Sequence, residues 1–262
     1  MPRDLDRRTF DRVFDEVVVR GRFNEVPEYY PRYRSRYRAL MKLYAEVAGP
    51  PPIDFLDIGG GQYAAMAATL WGDRATLADV GGSNGDYLRE RGVRPVEWNL
   101  CGDAEPFDAE FDVAMFSEVI EHLPIPGHIV LERLRRALRP GGTLICTTPN
   151  LYRLRNVVYM AIGKRMFDHF RMPTDRGLGH ILEYTRDHLR WQFERAGFED
   201  VGVELRQFPH NPNALHFRVL SWLGAPLYLV PRFREALVVV ARAPAGPAAP
   251  RPTSAAAEAG KP

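Results

Sequence analysis

Cysteine is scarce in this chain. Only Cys101 and Cys146 occur in 262 residues, so no disulfide framework can be built. Each falls next to or inside an expected strand, which suits buried thiols in a reducing compartment. An excess of one charge is also missing. Lys and Arg number 35 against 33 Asp and Glu, a formal net charge of +2, and that balance gives no call for a nucleic-acid partner. No run approaches the roughly 18–20 apolar residues of a membrane span. The opening residues MPRDLDRRTFDR are too charged to hold the apolar stretch of a secretion signal. These absences lead to the expectation of a cytoplasmic globular chain.

What is present divides at a proline run. Residues 1–49 carry helical spacing and no glycine-rich turn, and read as an N-terminal helical cap. Leu5, Phe10, Phe14 and Val17 or Val18 recur at helical intervals over Arg3–Arg20. A second helix is expected over Tyr33–Ala48, with Pro27, Pro31 and Pro50–Pro52 as punctuation. The cluster YYPRYRSRYR reads first as an amphipathic cap with a solvated arginine face, and second as an anion or aromatic binder.

From residue 50 to 243 strands alternate with helices. Strands are expected at Ile53–Ile58, Ala75–Val80, Arg94–Trp98, Phe111–Phe116, Thr143–Thr148, Val201–Phe208 and Glu235–Ala243. Helices are expected at Gln62–Trp71, Asn84–Arg91, Gly127–Leu138 and Tyr184–Ala196. This alternation predicts an α/β fold with a seven-stranded, mainly parallel, doubly wound sheet. Two insertions interrupt it, at 152–179 after strand five and at 211–231 after strand six. A connection as long as the first is usually functional. The second, with VLSWLGAPLYLV, reads as pocket cover or ordinary packing, with peripheral membrane contact through 213–230 as the alternative. The tail 244–262 has almost no large apolar residue and is expected to be disordered.

Two stretches carry the chemistry. In FLDIGGGQ, Phe55 to Gln62, a strand ends in an acid and glycines turn the chain into a helix, which lets backbone approach a ligand closely. The next strand ends ATLADV and places Asp79 where an acid can bond both hydroxyls of a ribose. In FDVAMFSEVIEHLP, Phe111 to Pro124, an apolar strand ends in Ser117 and Glu118, with Glu121 and His122 close behind. Ligands of open α/β sheets sit at that end of the strands.

Asp57, the glycines and Asp79, with FDVAMFSEVIEHL and LRRALRPGGTLICTTPN, resemble the class I S-adenosylmethionine (SAM)-dependent methyltransferases over about residues 50–243. The resemblance implies a Rossmann-like methyltransferase fold and SAM as cofactor. It implies that Asp57, Gly59 and Gly61 hold the methionine end, Asp79 the ribose and Asn99 the adenine. Gln62, Leu100 and Ser117 complete the expected cofactor set. The chain departs from the pattern at Tyr63, where a third glycine is usual, and at Asn99, where Asp is usual.

Glu118, Glu121 and His122 are spaced i, i+3, i+4, one face of a helix, and His180 in GLGHILEYT is a candidate fourth ligand. Mixed oxygen and nitrogen ligands suit a divalent metal such as Mg, Mn, Zn or Fe. The arrangement is similar to that of ubiquinone-pathway O-methyltransferases and of small-RNA 3′-end 2′-O-methyltransferases. Without a metal, His122 or His180 is the candidate general base, and Glu118 lies at the floor shared by cofactor and acceptor. The expected activity is O-methylation of a small-molecule hydroxyl on a natural product, quinone precursor, sugar or lipid-linked saccharide. RNA 3′-end methylation is the alternative, disfavoured by the absence of an RNA-binding module. A SAM-binding regulatory module without transfer activity is the alternative of another class. Arg153, Arg155, Lys164 and Arg165 are read either as contacts to a substrate phosphate or carboxylate or as a solvated basic loop.

Overall fold

Near-continuous apolar runs are what buried parallel strands require, because both of their faces are covered. The computed structural model describes residues 3–23, 28–81, 84–166, 179–208 and 225–246. Its strands are β1 (Asp54–Ile58), β2 (Arg74–Asp79), β3 (Arg94–Glu97), β4 (Phe111–Ser117), β5 (Leu138–Pro149), β6 (Glu199–Arg206) and β7 (Ala236–Arg242). They form one seven-stranded sheet in the order β3-β2-β1-β4-β5-β7-β6. The pairs β1–β2, β2–β3, β1–β4 and β4–β5 are parallel. Only β7 runs against its neighbours. This is the expected mainly parallel, Rossmann-like sheet. The chain leaves β1 toward β2 and β3, then returns to β4 on the other side of β1. A crevice therefore opens at the carboxyl ends of β1 and β4.

Successive strand residues point to opposite faces, and each face has its own core. Phe55, Val113 and Met115 join one cluster, and Leu56, Ala114 and Phe116 the other. The first cluster contains α1 (Arg7–Val13), α2 (Tyr29–Val47) and α3 (Gln62–Trp71); Phe10, Phe14, Tyr37, Leu40 and Met66 are fully or nearly fully buried in it. Between β2 and β3 runs α4 (Gly85–Glu90). The second cluster is filled by α5 (Gly127–Ala137) and by a later helix, Arg186–Arg195, through Leu131, Leu134, Leu189 and Phe193. The amino-terminal helices thus form a layer of the domain. Arg3 anchors their start: its guanidinium bonds both oxygens of Asp73, at 2.5 and 2.7 Å, beside the Tyr44 hydroxyl at 2.6 Å from the same carboxylate.

Several boundaries differ from expectation for local reasons. The side chain of Asp6 accepts from the amides of Arg8 and Thr9, so α1 starts at Arg7, and a π-helical stretch Phe14–Val19 continues it. Helix α2 starts at Tyr29. Pro31 then lies in its first turn, where an amide hydrogen has no helical partner to lose. Strand β5 starts at Leu138, ahead of the expected Thr143, with a register shift opposite Phe111 and Val113. The stretch 152–179 contains α6 (Leu154–Ala161), and the helix Arg186–Arg195, now α7, is capped by the Thr185 side chain. Residues 167–178, 211–224 and 247–262 lie outside the described residues, and with them most of the second insertion and of the tail. A 3-10 turn, Ala225–Leu229, ends the second insertion. No helix among the described residues is long and apolar enough to cross a membrane.

Candidate active site

The glycine turn after β1 is built on backbone that side chains rarely adopt. Gly59 has φ +104 and Gly61 φ +80. A β-carbon on Gly61 would also meet Leu88 Cδ1 at 3.0 Å and Leu77 Cδ2 at 3.1 Å. Asp57 stabilises the turn from beneath, accepting from the Ala64 amide at 2.9 Å. Burial pushes its carboxyl up to about 7. Tyr63 turns inward, 5 % exposed, with its ring 5.1 Å from that of Tyr37. Burial raises its phenol pKa. Asp57, Gln62, Tyr63, Ser117 and Glu118 line a cavity of about 140 Å3, closed by Tyr29, Arg36 and Tyr37 of α2.

Asp79 stands at the end of β2, half-buried, and burial raises its carboxyl pKa. It lines a separate cavity of about 190 Å3 with Asn84, Arg89 and Glu97. Beyond β3, the Asn99 side-chain oxygen accepts from the Cys101 amide at 2.9 Å and shapes the turn. Leu100 is buried, and its carbonyl accepts from Arg133 at 2.7 Å.

Glu118 is not on a helix. Its φ is +56, and the only helical residues nearby are a single 3-10 turn, Ile120–His122. Its backbone turn sends the carboxylate toward α2 and β5. There Oε2 accepts from Arg36 at 3.0 Å and Oε1 from the Thr147 hydroxyl at 2.9 Å. Glu121 goes the other way. It is 1 % exposed, and Oε2 accepts from the Thr148 hydroxyl at 3.0 Å. Among the described residues Oε1 has no hydrogen-bond partner. Burial and the charge of Glu118 hold this carboxyl well above the usual carboxylate range.

The Glu121 carbonyl accepts from the amides of Ile181 and Leu182, at 2.8 and 3.2 Å. Those bonds bring His180 back over the 3-10 turn. The rings of His122 and His180 meet edge-to-face at 5.0 Å. One donor atom each from Glu121, His122 and His180 lie within 4.8 Å of one another. His122 Nδ1 is 3.2 Å from the Gly179 carbonyl, and its Nε2 is 3.9 Å from Glu121 Oε1. His180 Nδ1 is 2.9 Å from Glu183 Oε1. Both rings are thus oriented through Nδ1, which leaves Nε2 for the cluster. Glu183 is buried, bonded by Asn156 at 2.5 Å and by Arg153. Burial raises its carboxyl pKa, but His180, Arg153 and Asn156 outweigh that and hold it below the usual range.

A cavity of about 360 Å3 lies over the cluster, lined by Glu121, His122, His180, Arg153 and Arg155 and by Tyr29, Tyr33 and Arg36 of α2. Tyr29, Arg36 and Glu118 line this cavity and the smaller one alike. The reading of YYPRYRSRYR as a solvated face is corrected for Arg36, which is 8 % exposed and stacks on Tyr33 at 4.7 Å. Positions 29, 33 and 36 form a helical stripe, a signal the sequence already held. Thr147, Thr148 and Glu183 carry no such signal. Arg153 is committed to Glu183, and Lys164 packs over Tyr159 at 4.6 Å.

A family model described as a methyltransferase domain matches residues 30–203. The chain belongs to the class I SAM-dependent methyltransferases. This methyltransferase is 25% identical over 198 residues to a ubiquinone biosynthesis O-methyltransferase of Methylococcus capsulatus, covering 71% of this chain and 77% of that one. A SAM-dependent methyltransferase from Archaeoglobus fulgidus superposes with a TM-score of 0.55 at 17% identity, covering 82% of this chain and 98% of that one. A possible histamine N-methyltransferase from Thermotoga maritima has a TM-score of 0.55 at 17% identity, with 89% and 99% covered. Oxygen and nitrogen acceptors are both named among these proteins, so the shared fold does not select the acceptor atom of this methyltransferase.

Proposed function

We propose that this methyltransferase methylates a hydroxyl oxygen of a small molecule, and that Glu121, His122 and His180 hold a divalent cation (Mg, Mn, Zn or Fe) beside it. The observation that carries the reading is Glu121 Oε1, a buried carboxylate oxygen without a hydrogen-bond partner among the described residues, set between two imidazoles whose Nδ1 atoms are already engaged. A buried carboxylate left unpaired is costly unless it meets a proton or a cation. Two imidazoles and a carboxylate, with Glu183 behind one imidazole, fit a catalytic metal site.

SAM, when bound, supplies a methyl group activated by positive sulfur. The cation, when bound, lowers the pKa of the acceptor hydroxyl and orients it. The chain does the rest. Asp57, Gln62, Ser117 and Tyr63 shape the space for the methionine end, and Asp79 is the partner proposed for the ribose. Arg36 and Glu118 form the wall between donor and acceptor space. Tyr29 and Tyr33 give the acceptor cavity an aromatic side, and excluding water there favours a short, in-line approach. With both imidazoles on the cation the acceptor proton leaves to water; without a cation His122 or His180 takes it as general base. The 25% identity to a ubiquinone O-methyltransferase supports oxygen as the acceptor atom. Two free cysteines support a cytoplasmic setting.

The test is metal analysis joined to activity. Purified protein should carry about one divalent ion per chain, and Glu121→Gln should carry none. Chelation should abolish turnover, and the same ion should restore it. Full turnover by protein free of metal would refute the metal and leave the histidines as the base.

A further inference from the structure

Helix α2 presents two stripes. Tyr29, Tyr33 and Arg36 face the acceptor cavity. Ser35, Arg38, Ala39 and Lys42, spaced i, i+3, i+4, i+7, face a second and larger cleft of about 820 Å3. Its other walls are Arg7 of α1, Arg206, Gln207 and Phe208 at the end of β6, and Tyr228 and Arg234 before β7. Of its ten lining residues among those described, five are Arg or Lys and none is Asp or Glu.

That charge is only partly compensated. Arg7 lies 3.5 Å from Asp11 and Arg206 2.8 Å from Glu204, in pairs where one member is largely exposed. Among the described residues Arg234 is oriented by carbonyls alone, donating to Leu205 at 3.0 Å and Tyr228 at 3.3 Å. Among the described residues no carboxylate pairs with Arg38, Lys42 or Arg234. The acceptor cavity is balanced in charge, with Glu118, Glu121 and Glu235 offset in its lining by Arg36, Arg153 and Arg155. Phe208, 6 % exposed, lines both spaces.

We propose that the cleft formed by Arg38, Lys42, Arg206 and Arg234 binds a phosphate or diphosphate group carried by the methyl acceptor. The inference rests on the reading of the neighbouring cavity as the acceptor site. Guanidinium forks match phosphate oxygens two at a time, and a lysine adds a point charge. A phosphorylated acceptor would reach past Phe208 and place its neutral hydroxyl-bearing end at the charge-balanced cavity. The same charges would reject acceptors of similar shape that lack the anion, so the cleft sets specificity by a group far from the reacting oxygen.

The first arm of the test uses inorganic pyrophosphate and needs no acceptor. Calorimetry should show binding that weakens with added NaCl, and a loss of at least about tenfold in affinity in Arg38→Glu/Lys42→Glu. SAM affinity should stay within about twofold of the parent. The charge-neutral Arg38→Gln/Lys42→Gln serves if the reversal unfolds the chain. Equal pyrophosphate affinity in parent and variant overturns the proposal. The second arm supplies SAM labelled in its methyl group and a fractionated small-molecule extract. The labelled product should be retained on an anion exchanger and released after phosphatase treatment. In the variant, KM for that fraction should rise at least about tenfold with kcat little changed. A neutral labelled product overturns the assignment and leaves any pyrophosphate affinity to a free effector. Label that ribonuclease renders soluble overturns it in favour of a polynucleotide. Loss of the metal reading would leave the pyrophosphate arm unaffected, so the two can fail separately.

Discussion

Arg36 donates to Glu118 Oε2 at 3.0 Å across 82 residues of sequence, and this one pair stands in the wall of both the donor and the acceptor cavity. Arg36 also donates to the Tyr29 hydroxyl at 2.8 Å. The cap helix therefore lines the candidate active site.

The pair should be energetically coupled. Its side chains are 10% and 23% exposed, so screening is incomplete. A double-mutant cycle of Arg36→Ala and Glu118→Ala, read by denaturant unfolding, should give a coupling of about 2 kcal/mol. Independent effects would show that the contact is incidental.

Asp79→Ala should weaken SAM binding by about 2–3 kcal/mol, or roughly 30- to 150-fold, the worth of hydrogen bonds to a charged group. Calorimetric titration measures it directly. Unchanged affinity would remove the ribose role.

Glu183 touches neither cavity's reacting end but orients His180. Glu183→Gln should lower metal affinity by about 10- to 100-fold while KM for SAM stays constant. A fall in melting temperature without a change in metal content would assign Glu183 to packing alone.

Asp57 gives a pH prediction. Its carboxyl is raised to about 7 in the fold, against an ordinary ~3.9 in the unfolded chain. The native state therefore holds the extra proton between those values. The associated stability is fully present below about pH 4 and is lost as pH rises through about 7. The loss amounts to at most ~4 kcal/mol. Asp57→Asn should flatten that dependence, so its stability relative to the parent should improve from pH 5 to pH 8. Parallel curves for the two proteins would contradict the raised value.

The strands were legible because burial on both faces leaves near-continuous apolar runs, as in FLDI and FDVAMF. The glycine turn was legible because Gly59 and Gly61 adopt dihedrals that other residues avoid. Glu118 was not. Spacing i, i+3, i+4 places it with Glu121 and His122 only if the chain is already helical, and the positive φ at 118 breaks that premise. The return of His180 depends on two backbone amides, of Ile181 and Leu182, meeting the Glu121 carbonyl. Backbone bonds between distant segments leave no mark in residue type. Arg36 was legible as one of a group but not singly, because its burial depends on which side of α2 the sheet lies.

The anchoring of Arg3 has a practical consequence for handling the protein. Its side chain is 1 % exposed and Asp73 is fully buried. Trimming the first three residues, by protease or by a downstream start, would take the cation from that carboxylate and cost about 3 kcal/mol or more. Any shortened version of the protein should therefore retain Arg3. Loss of solubility after amino-terminal clipping would report on the foot of the sheet, at the start of β2, opposite the catalytic edge.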